Sequence, residues 1–258
     1  MCSSDLGAPL VAHPKVGKIT FTGSVETGKI VYKTAADKLI PVTLELGGKS
    51  PMIVMKDADI DKAIGGAVTG MRFTRQGQSC TAASRMFVHA DVHDAFVAKL
   101  REKVDAMVMG NPLDEKTDIG TIISPEQFAK VKSYIDHGKG EAGAEAIECS
   151  AMPTNAKFKD GLFVRPVVFL GMTNDSKLAR EEIFGPVTCV IKWTDEEEVL
   201  AAANDSDYGI AATVWTNDLK AALNFTEKLQ AGLELGRASC RERGEDEVVA
   251  RPRKRNKQ

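Results

Sequence analysis

An α/β fold is predicted by three features of the sequence. Short apolar runs of strand length alternate with longer stretches whose apolar residues recur every three or four positions. Glycine, proline and helix-capping residues fall between them. The 258 residues are 43% hydrophobic and 27% charged, a balance suited to a substantial buried core.

In chain order, residues 19–21 predict a strand and residues 23–36 a helix with Ile30, Val31 and Ala35 on one face. Residues 42–45 and 52–54 are further short strands. Asp57 is read as opening a helix whose face carries Ile60, Ala63, Ile64, Ala67, Val68 and Met71, with Asp59 and Asp61 at the positive end of its dipole. A strand at 85–88 leads into a helix capped by Asp91, which turns Phe96, Val97, Leu100, Val104 and Met107 inward and stops at Gly110. Ser124-Pro125-Glu126-Gln127 is a capping box with proline at the first helical position, and its helix carries Phe128, Val131, Tyr134 and Ile135. Strands follow at 164–169 and 187–192. Thr194 and the acidic run 195–198 open a helix, 212–215 is a strand, and 219–229 is a helix closed by Gly232.

Composition narrows the function classes. A formal net charge of −2 gives no reason to expect a nucleic-acid partner. The five cysteines, at 2, 80, 149, 189 and 240, are odd in number and irregularly spaced, which argues for a reducing compartment and a cytoplasmic location. No apolar run approaches the ~20 residues that span a bilayer, and Met1-Cys2-Ser3-Ser4-Asp5-Leu6 has no leader pattern. His13, His89, His93 and His137 show no ligand spacing; all four are read as surface or loop residues, and no metal site is expected.

Two motifs carry chemistry. In Gly77-Gln78-Ser79-Cys80 the thiol is flanked by the small polar residues Ser79 and Thr81, an unusual setting for a packed cysteine. Glu45 ends the run Val42-Thr43-Leu44 and precedes Leu46-Gly47-Gly48-Lys49-Ser50-Pro51. A thiolate is the nucleophilic form of cysteine, and a partly buried carboxylate can act as a base near neutral pH. The bland readings are a buried small hydrophobe for Cys80 and an ion pair with Lys49 for Glu45. Cys189, in the apolar run 187–191, is read as core.

These motifs, with Phe21-Thr22-Gly23-Ser24, Glu182-Ile183-Phe184-Gly185-Pro186-Val187 and Asn204-Asp205-Ser206-Asp207-Tyr208-Gly209, resemble the aldehyde dehydrogenase superfamily. The landmarks run in family order from about Val16 to Leu233, and Glu45 lies 35 residues before Cys80, as in the family. The resemblance implies an aldehyde-dehydrogenase-like α/β fold. Residues 16–66 would be the end of a Rossmann-like dinucleotide domain, and residues 67–233 most of the catalytic domain. It implies oxidation of an aldehyde to a carboxylic acid with NAD or NADP, through a thiohemiacetal and a thioester on Cys80. Glu45 would activate the hydrolytic water. Thr22, Gly23, Ser24 and Gly28 would lie near the dinucleotide phosphates, where a helix start favours an anion. Leu46 would line the nicotinamide, Glu182 would hold the ribose hydroxyls, and Phe184 would pack beside the ring. Met71, Phe73, Arg75 and Ser79 are read as a mixed polar and apolar entrance.

The resemblance also implies segments that this sequence does not include: a strand with an oxyanion-hole asparagine, a lysine for the adenine-side ribose, and bridging strands that make the parent a homodimer or homotetramer. The chain alone is therefore expected not to turn over an aldehyde. Residues 1–15 and 234–258 are read as foreign, because Ser3-Ser4-Asp5-Leu6 and the run 236–243 match translated sequencing adapters, and the tail is expected to be disordered. Two other functions compete: a cofactor-independent cysteine hydrolase or acyltransferase, which lacks a histidine in any motif with Cys80, and a non-catalytic scaffold, which would not need both Cys80 and Glu45.

Overall fold

The computed structural model describes residues 6–238 and 247–250. The backbone divides after Gly47 into two units. The first holds α1 (Gly7–Ala12), β1 (Ile19–Thr22), α2 (Val25–Asp37) and β2 (Val42–Glu45). β1 and β2 pair in parallel from Ile19↔Val42 to Thr22↔Glu45. α2 starts where Ser24 accepts a hydrogen bond from the Thr27 N–H at 3.2 Å. Its buried stripe is Gly28, Val31 and Ala35, three and four residues apart, packed with Ile19, Phe21, Val42 and Leu44. Ile30 lies about 100° around the helix from Val31 and is exposed, so it does not join the buried face that the sequence assigns it.

The second unit is a sheet flanked by helices. Its strands are β3 (Pro51–Val54), β4 (Arg85–His89), β5 (Glu145–Glu148), β6 (Val167–Leu170), β7 (Val187–Trp193), β8 (Ala211–Thr216), β9 (Leu233–Ala238) and β10 (Glu247–Ala250). Its helices are α3 (Ile60–Met71), α4 (Ala90–Asp105), α5 (Pro125–Gly140), α6 (Lys177–Arg180), α7 (Glu196–Asn204) and α8 (Leu219–Lys228). The order is β10-β9-β8-β3-β4-β7-β6-β5. The six inner strands are parallel, and β5 and β10 run antiparallel at the edges. β3 and β4 are buried on both faces, which explains their unbroken apolar character. Alternation sorts their side chains: Met52, Val54, Met86 and Val88 pack with α3 and α4, while Ile53 and Phe87 pack with α7 and α8.

The sheet moves the expected domain boundary. The sequence assigns residues 48–66 to the dinucleotide domain, yet β3 is hydrogen-bonded between β4 and β8 and cannot leave that sheet without opening two ladders. Two caps also differ. Asp59, not Asp57, caps α3. Asp57 instead accepts from the Thr216 hydroxyl and the Asn217 N–H, tying the end of β3 to the end of β8. His89 Nδ1 caps α4 by accepting the Asp91 N–H, so Asp91 is a first-turn residue and not the cap. At the chain ends, α1 stands in place of the expected irregular segment, and β9 and β10 stand within the expected disordered tail. β9 continues the parallel ladder beside β8, from Ala211↔Leu233 to Thr216↔Ala238. The adapter-like residues 3–5 and 239–243, and the basic run 251–257, lie outside the described residues.

Two buried cations sit at the amino edge of the central strands. Arg85, the first residue of β4, donates from Nε to Lys49 O (3.0 Å), from Nη1 to Asn174 Oδ1 (2.9 Å) and Ala202 O (3.1 Å), and from Nη2 to Ala203 O (3.0 Å). Lys49 is equally buried, and its Nζ has no hydrogen-bond partner. Burial pushes its pKa from 10.5 down to about 8, and the Arg85 charge pushes the same way.

These two sites predict opposite responses. Arg85→Met leaves the Lys49 and Ala203 carbonyls without this donor and should lower stability by about 3 kcal/mol or more, read as a shifted urea midpoint. For Lys49 the unfolded chain binds more protons than the folded one between pH 8 and 10.5, so this residue makes folding more favourable as pH rises through that window. Lys49→Met should therefore be more stable than the parent at pH 7, by up to about 3 kcal/mol. That advantage should shrink from pH 8 towards 10.5. Urea titrations of both chains across this range test it; a difference independent of pH contradicts it.

Candidate active site

In the second unit, three stretches distant in sequence meet because they precede three neighbouring parallel strands. Gly48-Lys49-Ser50 leads into β3, residues 77–84 into β4, and residues 181–186 into β7. Gly48 is the meeting point. Its N–H donates to Glu182 Oε1 at 2.9 Å. A Cβ at Gly48 would fall 1.8 Å from the Cys80 carbonyl oxygen, so only glycine lets β3 approach the Cys80 loop this closely. Gly77 makes a second approach: its φ is +63°, and a Cβ there would fall 2.1 Å from Gly185 O.

The Cys80 loop is held in an uncommon conformation. Arg72 (φ 58°) and Gln76 (φ 56°) are left-handed without being glycine, each costing of order 1 kcal/mol. Side-chain amides offset this cost. Gln76 is buried and donates from Nε2 to Gly120 O at 2.7 Å. Gln78 accepts the Ile123 N–H at 3.0 Å and donates to Arg75 O at 3.2 Å. Cys80 ends the loop as a free, partly exposed thiol. The other described cysteines, Cys149 and Cys189, are buried, and burial pushes each thiol up to about 11. Met71 and Phe73 are fully packed core residues and do not form the mixed entrance read from the sequence.

The Glu182 loop is strained in the same way. Phe184 has φ 56°, and Gln127 Nε2 donates to both Ile183 O and Phe184 O at 2.9 Å. Gln127 is a positioning residue that the sequence conceals. It is visible there only as a capping-box member, and its N–H does bond to Ser124 Oγ, but its side chain reaches 57 residues along the chain to the Phe184 carbonyl.

In the first unit, Glu45 is the last residue of β2 and its carbonyl accepts the Gly23 N–H at 3.1 Å. Its side chain is exposed, not partly buried as expected, because the inward positions of β2 are Val42 and Leu44. In the second unit, the buried Lys49 Nζ has no hydrogen-bond partner. Thr22 and Gly23 form the turn into α2, with Ser24 as its cap. Gly28 and Leu46 touch, since a Cβ on Gly28 would lie 2.5 Å from Leu46 Cδ2.

Two features fit a dinucleotide. The turn from β1 into α2 ends at a helix start with N–H groups available to an anion. Glu182 uses one carboxylate oxygen on Gly48 and leaves the other for a hydroxyl. Among the described residues no cluster of three or more His, Cys, Asp or Glu could hold a metal. No described helix is long and apolar enough to cross a membrane. His93 is buried on α4 with Nδ1 2.7 Å from Asp94, so it is not the surface residue expected.

Known proteins are similar to this chain in sequence and fold. The betaine aldehyde dehydrogenase of Sinorhizobium fredii (strain NBRC 101917 / NGR234) is 47% identical over 226 residues, 88% of this chain and 46% of its own length. Betaine aldehyde dehydrogenase 1 of Rhizobium meliloti (strain 1021) is 46% identical over the same shares of each chain. Among solved structures, the NAD+ complex of aldehyde dehydrogenase from Bacillus cereus superposes with a TM-score of 0.83 at 38% identity, covering 92% of this chain and 47% of that one. HpcC from Thermus thermophilus gives 0.83 at 41%, covering 92% and 46%. The chain thus spans about half the length of the relatives it matches. The sequence profile of the Aldehyde dehydrogenase family matches residues 2–234, which include most of the N-terminal stretch read above as foreign, and the chain belongs to that family.

Proposed function

We propose that this chain carries the nucleophile and the hydrolytic base of an NAD(P)-dependent aldehyde oxidation. The observation that carries the reading is Gly48, which touches the Cys80 carbonyl and hydrogen-bonds Glu182, so that the thiol loop and the candidate ribose ligand share one edge of the sheet. The Cys80 thiolate adds to the aldehyde carbon, and the carbonyl electrons move onto oxygen to give a thiohemiacetal. Glu182 and Phe184 would hold a nicotinamide, which would supply the acceptor for a hydride; loss of that hydride from the thiohemiacetal carbon would leave a thioester on Cys80. Glu45 takes a proton from water, the water oxygen attacks the thioester, and the acid departs with return of the thiol. The Gln127 amide keeps Glu182 and Phe184 in place by holding the backbone on the Phe184 side of the loop. The names of the relatives make betaine aldehyde the substrate to try first.

Two measurements test this. Iodoacetamide near pH 8 should modify Cys80 well before Cys149 and Cys189, whose thiols are buried and shifted to about 11. An aldehyde should protect Cys80 from that modification. In a chain extended to the length of its relatives, Cys80→Ser should abolish NADH formation. Glu45→Gln should leave a single burst followed by turnover slowed ~10²–10⁴-fold. NADH formation that survives Cys80→Ser contradicts the reading.

A further inference from the structure

The opposite edge of the sheet carries a second site. β8, β3, β4 and β7 are adjacent and parallel, and all four end at one cleft of about 260 Å³. Its walls are Met55, just past the end of β3, and the last strand residues His89, Trp193 and Thr216. The Cys80, Gly48 and Glu182 loops precede these strands, so they lie at the far end of the same sheet.

The topology is that of a ligand crevice. From β3 and β4 the chain turns to α3 and α4 on one face, while from β7 and β8 it turns to α7 and α8 on the other. Connections therefore diverge between β8 and β3 and again between β4 and β7. In open parallel sheets, a cleft beyond the carboxyl ends of strands whose connections diverge is the usual place for a ligand.

The lining selects the ligand's charge. Asp57, Glu196 and Asp218 face one cation, Lys56. The helix starts do not offset this excess of negative charge, because Asp195 already accepts the first-turn N–H groups of α7 and Asp218 those of α8. His89 stands edge-on to Trp193 with ring centroids 4.8 Å apart, giving the cleft an aromatic wall. Trp193 lines the cleft and is 8% exposed, and its indole N–H is buried with no acceptor.

We infer that this carboxyl-edge cleft binds a small organic ammonium compound, its cation held by the acidic rim and its body against Trp193 and His89. The site does not depend on Cys80 or on the proposed oxidation.

Calorimetric titration of the chain with benzylamine, benzyl alcohol and benzoate tests the inference. Benzylamine should bind saturably, benzyl alcohol more weakly, and benzoate not at all. Glu196 and Lys56 are both exposed, and substitution at either should leave the fold intact. Glu196→Gln should weaken benzylamine binding about five-fold, and Lys56→Gln should tighten it by a similar factor. Cys80→Ser should leave it unchanged. Absence of saturable benzylamine binding, benzoate binding as tight as benzylamine, an affinity unmoved by both rim substitutions, or loss of binding in Cys80→Ser would each overturn it.

Discussion

The arrangement at the amino edge depends on the Arg85 guanidinium. A charge this deep is tolerated only where its donors meet acceptors, and four of its hydrogen bonds are made, three of them to backbone carbonyls. Ala202 and Ala203 lie in the last turn of α7, where the carbonyls and the helix dipole favour a cation. The planar fork has fixed directions, so it sets the distance between the start of β3, the start of β4 and the end of α7 at once. Lysine could not do this with a single ammonium. Lys49 illustrates the contrast, since its buried Nζ finds no partner and its charge is disfavoured by burial.

Within that frame, close backbone approach sets the geometry of the site. Gly48 meets the Cys80 carbonyl, and Gly77 meets the Gly185 carbonyl, at distances that exclude any Cβ. Flexible loops would lose these contacts, and here amide side chains hold the loops in place. Gln76, Gln78 and Gln127 each bridge to backbone outside their own turn or fix it internally, and they offset the left-handed residues Arg72, Gln76 and Phe184. The strain persists because neighbouring hydrogen bonds over-determine it.

Much of this was legible in the sequence, and the limits of legibility follow physical lines. Periodicity located the central strands and α3, α4, α5, α7 and α8, because each has one buried stripe or two buried faces. The Cys80 and Glu182 motifs marked the loops that Gly48 joins. Non-local placement was hidden. That β3 belongs with β4 and β8 is a statement about ladder partners far along the chain, such as Arg85 for Pro51 and Thr213 for Met52, which local pattern does not encode. The Gln127 amide, the burial of Lys49 and the exposure of Glu45 are likewise set by tertiary placement. Caps were misplaced by two residues where several candidates compete, at Asp57 against Asp59 and at Asp91 against His89.

Burial also separates the cysteines by chemistry. Cys149 and Cys189 sit in apolar surroundings that disfavour a thiolate, so each stays a neutral, small core side chain at physiological pH. Cys80 escapes that environment because its loop is carried out of the core by consecutive left-handed turns at Gln76 and Gly77 before the chain enters β4. The sheet that buries two thiols thus exposes the third at its edge. The difference lies in backbone conformation, since all three residues are chemically the same.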